Sequence, residues 1–219
     1  MNSSLIQLLV LAGIAVFLIL RLRKVLGTRE GFEAPPAPAP IESRPRRRDF
    51  EVIEGGPDRD ITDHVPEGSD AARALAAMKT VEPSFVVGEF LHGARGAYEM
   101  ILMAFEKGDL DPVLPFLSPE VYQSFAEVID RRQSEGLTIE AHFVGLRELA
   151  LQDADFDRDT REANLSVRFV GELTSVARNA AGEVVEGSPT EVRRQRDIWI
   201  FTRRMGDKDP NWQLTATSE

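Results

Sequence analysis

The stretch DIWIFTRRMGDKDPNWQL, residues 197–214, decides the fold. Four large apolar side chains in succession are followed by a charged turn, and the turn residues DPN come directly before Trp212. A short apolar run bounded by turn residues is typical of a buried β-strand. The stretch therefore predicts one strand over about 190–204 and another that begins at Trp212. Because successive side chains of a strand point to opposite faces, we expect Trp199 and Phe201 on one face and the two isoleucines on the other.

Two earlier segments, separated by DADFDRDTREAN, alternate between apolar and polar residues. Their apolar positions are Ile139, Ala141 and Phe143 in the first segment and Leu165, Val167 and Phe169 in the second. Strict alternation is typical of a half-buried strand, so we predict a strand on each side of a polar hairpin connection. A Gly-containing loop around residues 179–188 then leads to the strand near the C-terminus.

The residues between Ser69 and Gly136 repeat with the period of an α-helix. The first predicted helix has Ser69 as N-cap and runs to about Lys79, and the second covers 84–107 and is ended by Gly108. A short helical turn follows within DLDPVLPFLS. The last predicted helix has Ser118 as N-cap and Pro119 as first residue, and Gly136 ends it. We expect Phe125 of the last helix to face inward. Helices followed by a meander of strands indicate an α+β domain, with its helices packed on one curved antiparallel sheet.

Charge is distributed unevenly along the chain, which has a formal net charge of −10. Residues 1–48 contain eight Lys and Arg against three Glu, a balance of +5 that leaves −15 for the remainder. An acidic domain repels phosphate backbones, so we expect no nucleic-acid partner. The chain has no Cys, which excludes disulfides, thiolate nucleophiles and Cys-containing zinc sites.

The N-terminal run LIQLLVLAGIAVFLIL is apolar apart from one Gln. At ~1.5 Å per residue, a helix over this run and the next few residues covers roughly 30 Å, the thickness of the hydrocarbon core of a bilayer. No Lys or Arg precedes the run, and cations follow it directly. We therefore predict a single transmembrane anchor over residues 1–27. The residues that mark it are Leu5, Leu20, Arg21, Arg23 and Lys24.

A cleaved secretory signal peptide is the competing interpretation, because the run is only slightly longer than the core of an ordinary signal peptide. Signal peptides carry cations before the core and a cleavage site soon after it, whereas the one formal match, Ala37-Pro38-Ala39, lies far downstream. Cations that follow an anchor stay on the inner side of the membrane. We expect a bacterial plasma membrane, lipid contact through the anchor and a C-terminal domain on the cytoplasmic side.

Residues 28–68 are rich in Pro, Gly and charge and hold too few apolar residues to form a core. We predict a flexible, disordered linker there and a folded domain over residues 69–219. Within the linker, Arg44 and Arg46–Arg48 either hold anionic lipid or form a solvated charge run. FEVIEG, residues 50–55, has the alternation of an edge strand or a short docking motif.

Three stretches resemble a known family. They are AYEMILMAFEKGDLDPVLPFLSPEVYQSF at residues 97–125, IDRRQSEG at 129–136, and DIWIFTRRMGDKDPNWQL. They resemble the C-terminal domain of the translocase of the inner membrane subunit forty-four family, whose bacterial members are single-pass membrane proteins. The resemblance extends over residues 69–217. It implies a cone-shaped α+β fold similar to nuclear transport factor two, with an apolar cavity between the helices and a bent sheet.

The resemblance implies a set of candidates for the lining of that cavity. They are Tyr98, Leu102, Phe143, Phe169, Trp199, Phe201 and Trp212. A lipid or another apolar ligand would then occupy the cavity. The alternative is that these side chains are ordinary core, because most apolar strand residues are simply buried.

Enzymes also use this cone-shaped fold, and they need an acid–base pair of side chains inside the cavity. The three histidines do not supply one: His64 falls in the predicted linker, His142 alternates away from the apolar face, and His92 falls on the polar side of the long helix. The acidic run DADFDRD lacks the Gly and the terminal Glu of a calcium loop. We expect no enzymatic activity, no cofactor and no metal site.

The resemblance also indicates a class of function. Mitochondrial members of the family are adaptors that recruit a chaperone motor to the import channel, and a related ribosomal subunit holds ribosomes at the inner membrane. We expect a membrane-anchored adaptor, linked to protein transport or membrane-protein biogenesis, that binds lipid or an unidentified protein partner: a membrane protein, a chaperone or a ribosome. The alternatives are a ribosome tether at the membrane and a small-molecule enzyme or carrier that uses the cavity.

Overall fold

The computed structural model describes residues 56–218 of the 219-residue chain. The predicted transmembrane anchor over residues 1–27 and the predicted linker up to residue 55 lie outside the described residues. Among residues 56–218, no helix combines the length and the apolar character that a membrane span needs.

Helices come first in the described part of the chain and strands follow. The elements are α1 (Arg59–Thr62), α2 (Asp70–Val81), α3 (Val87–Lys107), a 3₁₀ helix (Asp111–Phe116), α4 (Pro119–Ser134), β1 (Thr138–Phe156), β2 (Glu162–Arg178), β3 (Val184–Arg204) and β4 (Gln213–Ser218). The strands form one antiparallel sheet in the order β1-β2-β3-β4, and α2 and α3 pack against it. The predicted α+β class, with helices packed on an antiparallel sheet, is confirmed.

The folded part begins earlier than the sequence predicts. Asp58 caps α1, since its carboxylate accepts a hydrogen bond of 3.0 Å from the N–H of Asp60. Ile61 and Val65, each 5% exposed, belong to the hydrophobic core. The prediction of a flexible linker is therefore wrong for residues 58–68. Two apolar side chains four residues apart attach this segment to the domain, and the polar composition of the segment as a whole hides them.

The long helix α3 starts at Val87, a few residues later than predicted, because its cap comes from another element. The preceding Val86 has no side-chain oxygen that could accept a backbone hydrogen bond. Instead, the Asp60 carboxylate accepts hydrogen bonds from the N–H of Val87 at 2.7 Å and from that of Gly88 at 3.0 Å. Burial on its own would raise the pKa of Asp60, but the hydrogen bond from Lys79 and the two backbone N–H groups lower that pKa overall.

The other predicted helix boundaries are confirmed. Gly108 ends α3 in the left-handed conformation, with φ of 73°. Ser118 caps α4 by accepting a hydrogen bond of 3.3 Å from the N–H of Val121, and Pro119 is the first residue of α4. Gly136 follows α4 with φ of 67°. A 3₁₀ helix occupies the segment predicted to be a short helical turn.

The hairpin between β1 and β2 is tighter than the sequence predicts. β1 continues to Phe156 and β2 starts at Glu162, so most of the predicted polar connection is strand. Asp157 makes the turn by accepting hydrogen bonds from the N–H groups of Asp159 and Thr160 at 2.8 and 3.0 Å. Acidic residues on the exposed side of a strand have the composition of a loop, which is why the prediction was wrong here.

In the hairpin between β2 and β3, too, the strands extend further into the predicted connection than the sequence predicts. β3 begins at Val184 and pairs with β2 across the second half of the segment predicted to be a loop. Residues 189–192 interrupt the pairing as a bulge, since Ser188 and Arg193 pair with nearby residues of β2. β4 begins at Gln213, next to its predicted start.

The predicted alternation of β3 is confirmed. Trp199 and Phe201 are 3% and 2% exposed and contact aromatic rings of α3, whereas the two isoleucines are half-buried on the other face. The fully buried β2 residues on the helix-facing side are Ala163, Leu165, Val167 and Phe169. The core therefore lies between this face of the sheet and the helices.

Candidate functional site

An aromatic cluster lies where α3 crosses β2 and β3. The ring of Tyr98 stacks on that of Phe169, with centroids 4.4 Å apart and planes 13° apart, and the Trp199 ring lies 4.7 Å from that of Tyr98. Phe143 lies 6.1 Å from Tyr98, and Phe201 lies 6.4 Å from Phe169. The structure thus brings together five of the residues predicted to line a cavity.

The middle of this cluster is packed core. Tyr98 and Phe169 are fully buried, at 0% exposed, and Phe143 is half-buried at the side. These three residues border neither of two cavities that open at the margins of the cluster. For Tyr98, Phe143 and Phe169, the structure therefore matches the alternative that the candidate cavity-lining residues are ordinary core.

The first cavity, which we call the α4 cavity, has a volume of about 260 Å³. Its lining consists of Leu102, Phe105, Glu106, Phe125, Gln195, Asp197, Trp199, Thr217 and Ser218. Leu102 and Trp199 are among the predicted lining residues. Phe125, which was expected to face inward, is half-buried here, with its ring 4.8 Å from that of Phe105. The cavity therefore combines apolar walls with the carboxylates of Glu106 and Asp197.

The second cavity, which we call the Trp212 cavity, has a volume of about 300 Å³ and lies beside the N-terminal half of α3. Its lining consists of Glu89, Phe90, Gly93, Ala94, Ala97, Phe116, Phe201, Pro210, Asn211 and Trp212. The Trp212 ring lies 4.9 Å from the Phe90 ring and 5.1 Å from the guanidinium carbon of Arg203. These contacts hold the β3–β4 connection against α3 and place the last two predicted residues, Phe201 and Trp212, at this cavity.

A buried hydrogen-bonded pair joins α3 to β3. Tyr98 Oη donates to Asp197 Oδ2 at 2.5 Å, and Gln195 Nε2 donates to Asp197 Oδ1 at 3.0 Å. Burial and the neighbouring carboxylate raise the pKa of Tyr98, so its hydroxyl stays protonated and acts as a donor. Gly171 makes room for this hydroxyl, since a Cβ there would lie 2.8 Å from Tyr98 Oη. Sequence reasoning missed the pair, although Asp197 shares its strand face with Trp199.

The three histidines lie on three different segments of the described part of the chain. His92 and His142 are exposed on their elements, and His64 is half-buried between α1 and α2. Within residues 56–218, there is no group of three or more His, Asp or Glu side chains that could hold a metal ion. Asp153 and Asp155 lie on β1 rather than in a calcium-type loop.

A third cavity, of about 770 Å³, lies between the C-terminal ends of α3 and α4 and the β2–β3 hairpin. Its charged lining residues are Glu106, Arg132, Glu135, Glu186, Arg193, Arg194 and Arg196. The Arg132 guanidinium lies 4.6 Å from the centroid of the Phe105 ring and 3.9 Å from the Glu106 carboxylate. Both cations and carboxylates therefore line this cavity, so the acidic domain has a local surface of mixed charge.

One helical layer on a four-stranded antiparallel sheet, with an aromatic core and cavities at its margins, defines the protein as an α+β domain protein. Residues 71–219 match the model of the Tim44-like domain family, and this match covers more than half of the chain. The chain therefore belongs to the Tim44-like domain family, and the family expected from the three sequence stretches is confirmed.

Comparison with characterised proteins finds relatives described as mitochondrial import inner membrane translocase subunit TIM44. The human and rat proteins are each 25% identical to this chain over 153 residues, which is 68% of this chain and 33% of the relative. The chain thus matches about a third of the length of these relatives. Among solved structures, the intermembrane space region of the chloroplast protein ARC6 aligns with a TM-score of 0.39 at 16% identity, covering 56% of this chain and 88% of the other.

Proposed function

We propose that the protein is a membrane-anchored adaptor in protein transport, whose Tim44-like domain binds another protein. The observation that carries the proposal is family membership: residues 71–219 are a Tim44-like domain, and similar proteins of human and rat are named as import translocase subunits. The matched region is a third of those relatives, so the proposal concerns what this one domain does. The domain binds rather than catalyses, and it has the cone shape of nuclear transport factor two.

The anchor is residues 1–27, and the membrane is the bacterial plasma membrane with the domain on its cytoplasmic side. An apolar run without preceding cations, followed at once by Arg21, Arg23 and Lys24, supports this arrangement. Carbonate extraction of membranes should leave the full chain in the pellet, and protease added outside spheroplasts should leave the domain intact. Release by carbonate or digestion from outside would contradict the anchor without bearing on the domain.

The absence of catalysis is part of the same proposal. His92 and His142 are exposed and stand apart from the cavities that the aromatic residues border. The Tyr98 hydroxyl donates to Asp197 inside the core, so this pair is engaged in holding α3 to β3. The double variant His92→Ala/His142→Ala should therefore retain the cellular phenotype of the gene.

The α4 cavity is the proposed site for the protein partner. Its volume of about 260 Å³ is close to the lower end of the ~300 to 1,000 Å³ of small-molecule pockets and is large enough for a single side chain of a partner. Phe125 and Trp199 supply apolar walls, and Glu106 and Asp197 supply negative charge beside them. Such a site fits an apolar side chain that is next to a Lys or Arg in the partner.

Recovery of partners from detergent-solubilised membranes tests the site. Phe125→Glu should reduce recovery severalfold, because it places a charge at the half-buried wall of the cavity. Thr217→Arg, an exposed residue of the same lining, should do likewise by repelling the partner's cation. Gln123→Glu is the matched control, since Gln123 is exposed on α4 away from the cavity. Undiminished recovery by both folded cavity variants, or recovery of lipid alone, would overturn the proposed site.

A further inference from the structure

The outward face of α3 carries a regularly spaced row of residues, which we call the outer row. Its members are Glu89, Gly93, Gly96, Met100, Met103 and Lys107. They are four, three, four, three and four residues apart, which is the spacing that keeps side chains on the contact face of two packed helices. All are exposed except Met103, which is half-buried.

No described residue outside α3 requires the two glycines of the outer row. Glycine weakens the interior of a helix, so its presence there needs a reason. A Cβ at Gly93 or Gly96 would meet nothing within 4 Å among the described residues outside the helix's own backbone. Neither residue has a positive φ, so ordinary helix geometry is kept at both. The described residues thus supply no reason for the glycines, whereas missing side chains let another backbone or side chain approach closely.

The surroundings of the outer row are apolar and concave. Gly93 and Glu89 border the Trp212 cavity, and the other four members border a further cavity of about 460 Å³ between α3 and the 3₁₀ helix. Met100 is 39% exposed, and Leu114 of the neighbouring 3₁₀ helix is 51% exposed. Exposed large apolar side chains beside open grooves indicate a surface that another molecule covers.

The outer row is complementary to itself in the antiparallel direction. When two copies of α3 are laid antiparallel about the level of Tyr98, Glu89 faces Lys107 of the other copy. In the same alignment Gly93 faces Met103, and Gly96 faces Met100. Each long side chain meets a glycine and each charge meets its opposite, and flexible methionines are well suited to fill such gaps.

We propose that a second copy of this chain binds here, with the two α3 helices antiparallel and in contact along the outer row. A parallel pair would place Glu89 against Glu89 and glycine against glycine, which combines like-charge repulsion with unfilled space. Helix axes in packed pairs are ~8 to 10 Å apart, and glycines at the contact favour the lower end. This self-association is independent of the α4 cavity and of the proposed transport partner.

Cysteine cross-linking of the full chain in its own membrane tests the direction of pairing. The chain has no Cys, so each introduced residue is the only thiol in its copy. Two differently tagged copies, one with Gly93→Cys and one with Met103→Cys, should form a disulfide-linked pair under mild oxidation. Gly93→Cys alone should not, because in the proposed pair its two Cα atoms are roughly 15 Å apart along the helix axes, beyond disulfide reach. Cross-linking of Gly93→Cys to itself, or of neither combination, would overturn the proposal.

Charge reversal and steric blocking give a second readout, by sedimentation of the detergent-solubilised full chain. Lys107→Glu should weaken self-association about tenfold, because both symmetry-related ion pairs become repulsive. The double variant Glu89→Lys/Lys107→Glu should restore it, whereas Arg131→Glu on exposed α4 leaves it unchanged. Gly96→Leu should abolish it and Ala76→Leu, at an exposed α2 position, should not. If Gly96→Leu keeps its fold by circular dichroism and still associates like the wild type, the outer row is not the contact.

Discussion

The two faces of α3 have opposite compositions. The inner face presents Tyr98 and Ile101, both 0% exposed, to the aromatic core and the sheet. The outer face presents Gly93 and Gly96, whose missing side chains leave open space within the described residues, together with Met100. The inner face is closed by the chain's own side chains, so its residues are set by the fold. No described residue outside α3 packs on the two glycines of the outer face, so packing within residues 56–218 does not explain its composition.

The largest effect is expected from emptying the inner face. Phe169→Ala should lower the free energy of unfolding by about 3 to 5 kcal/mol, because it removes a fully buried ring whose centroid lies 4.4 Å from that of Tyr98 and leaves a cavity in its place. Val144→Ala, at a residue that is 56% exposed, should change it by less than about 0.5 kcal/mol. Urea midpoints of the two variants measure the difference. Similar midpoints would mean that the inner face is not tightly packed.

A smaller effect is expected from adding one methyl group to the inner face. Gly171→Ala places a Cβ 2.8 Å from the Tyr98 hydroxyl, which must move and strain its bond to Asp197. Overpacking of this kind costs about 1 to 3 kcal/mol. The near-ultraviolet circular dichroism of the aromatic cluster should change with it, and Gly171→Ala combined with Tyr98→Phe should lose less than the sum of the single variants. Wild-type stability in Gly171→Ala would contradict the close contact.

The N-terminal end of α3, where both faces begin, depends on a residue far away in the sequence. Asp60→Ala should cost about 1 kcal/mol at neutral pH, because it removes the acceptor for two backbone N–H groups of α3. The folded-state pKa of Asp60 is lowered from its ordinary value of 3.8, so the carboxylate stabilises the fold above that value. That contribution is lost as the pH falls through the lowered pKa.

Urea midpoints of the wild type and of Asp60→Ala should therefore differ at pH 7 and converge as the pH falls below 3.8. Asp63→Ala, at an exposed residue that follows α1, is the control and should follow the wild type throughout. A gap between the wild type and Asp60→Ala that persists at low pH would mean that the cap does not depend on the charge of the carboxylate.

Sequence reasoning predicts the parts of this fold that local physics determines. The period of the side chains predicted the helices, and Ser118 and Gly108 marked helix ends. Alternation placed Trp199 and Phe201 on one face of β3, which the structure shows to be the helix-facing side. These features depend on residues within one or two turns of each other. The same reasoning identified the aromatic residues that meet in the core, because apolar periodicity selects buried positions.

The remaining features depend on residues that are distant in sequence. Asp60 caps α3 from 27 residues upstream, and Tyr98 bonds to Asp197 across 99 residues. No local pattern specifies such partners. Whether an apolar residue lines a cavity or fills the core also depends on residues that are distant in sequence. Local patterns therefore could not predict that Trp199 borders the α4 cavity while Phe169 does not.

The smallest effect, and the sharpest contrast with Gly171, is expected from adding one methyl group to the outer face. The methyl group added by Gly96→Ala would meet no neighbour within 4 Å among the described residues outside its own helix. In dilute solution the variant should therefore raise the free energy of unfolding by about 0.5 to 1 kcal/mol through helix propensity alone. At high protein concentration self-association stabilises the wild type more than the variant, so the advantage should shrink or reverse. Ala76→Gly, at an exposed α2 position, should lose a similar amount at every concentration. A gain for Gly96→Ala that is the same at all concentrations would contradict the outer row as a contact, and a loss in dilute solution would mean that the face is already covered by the chain itself.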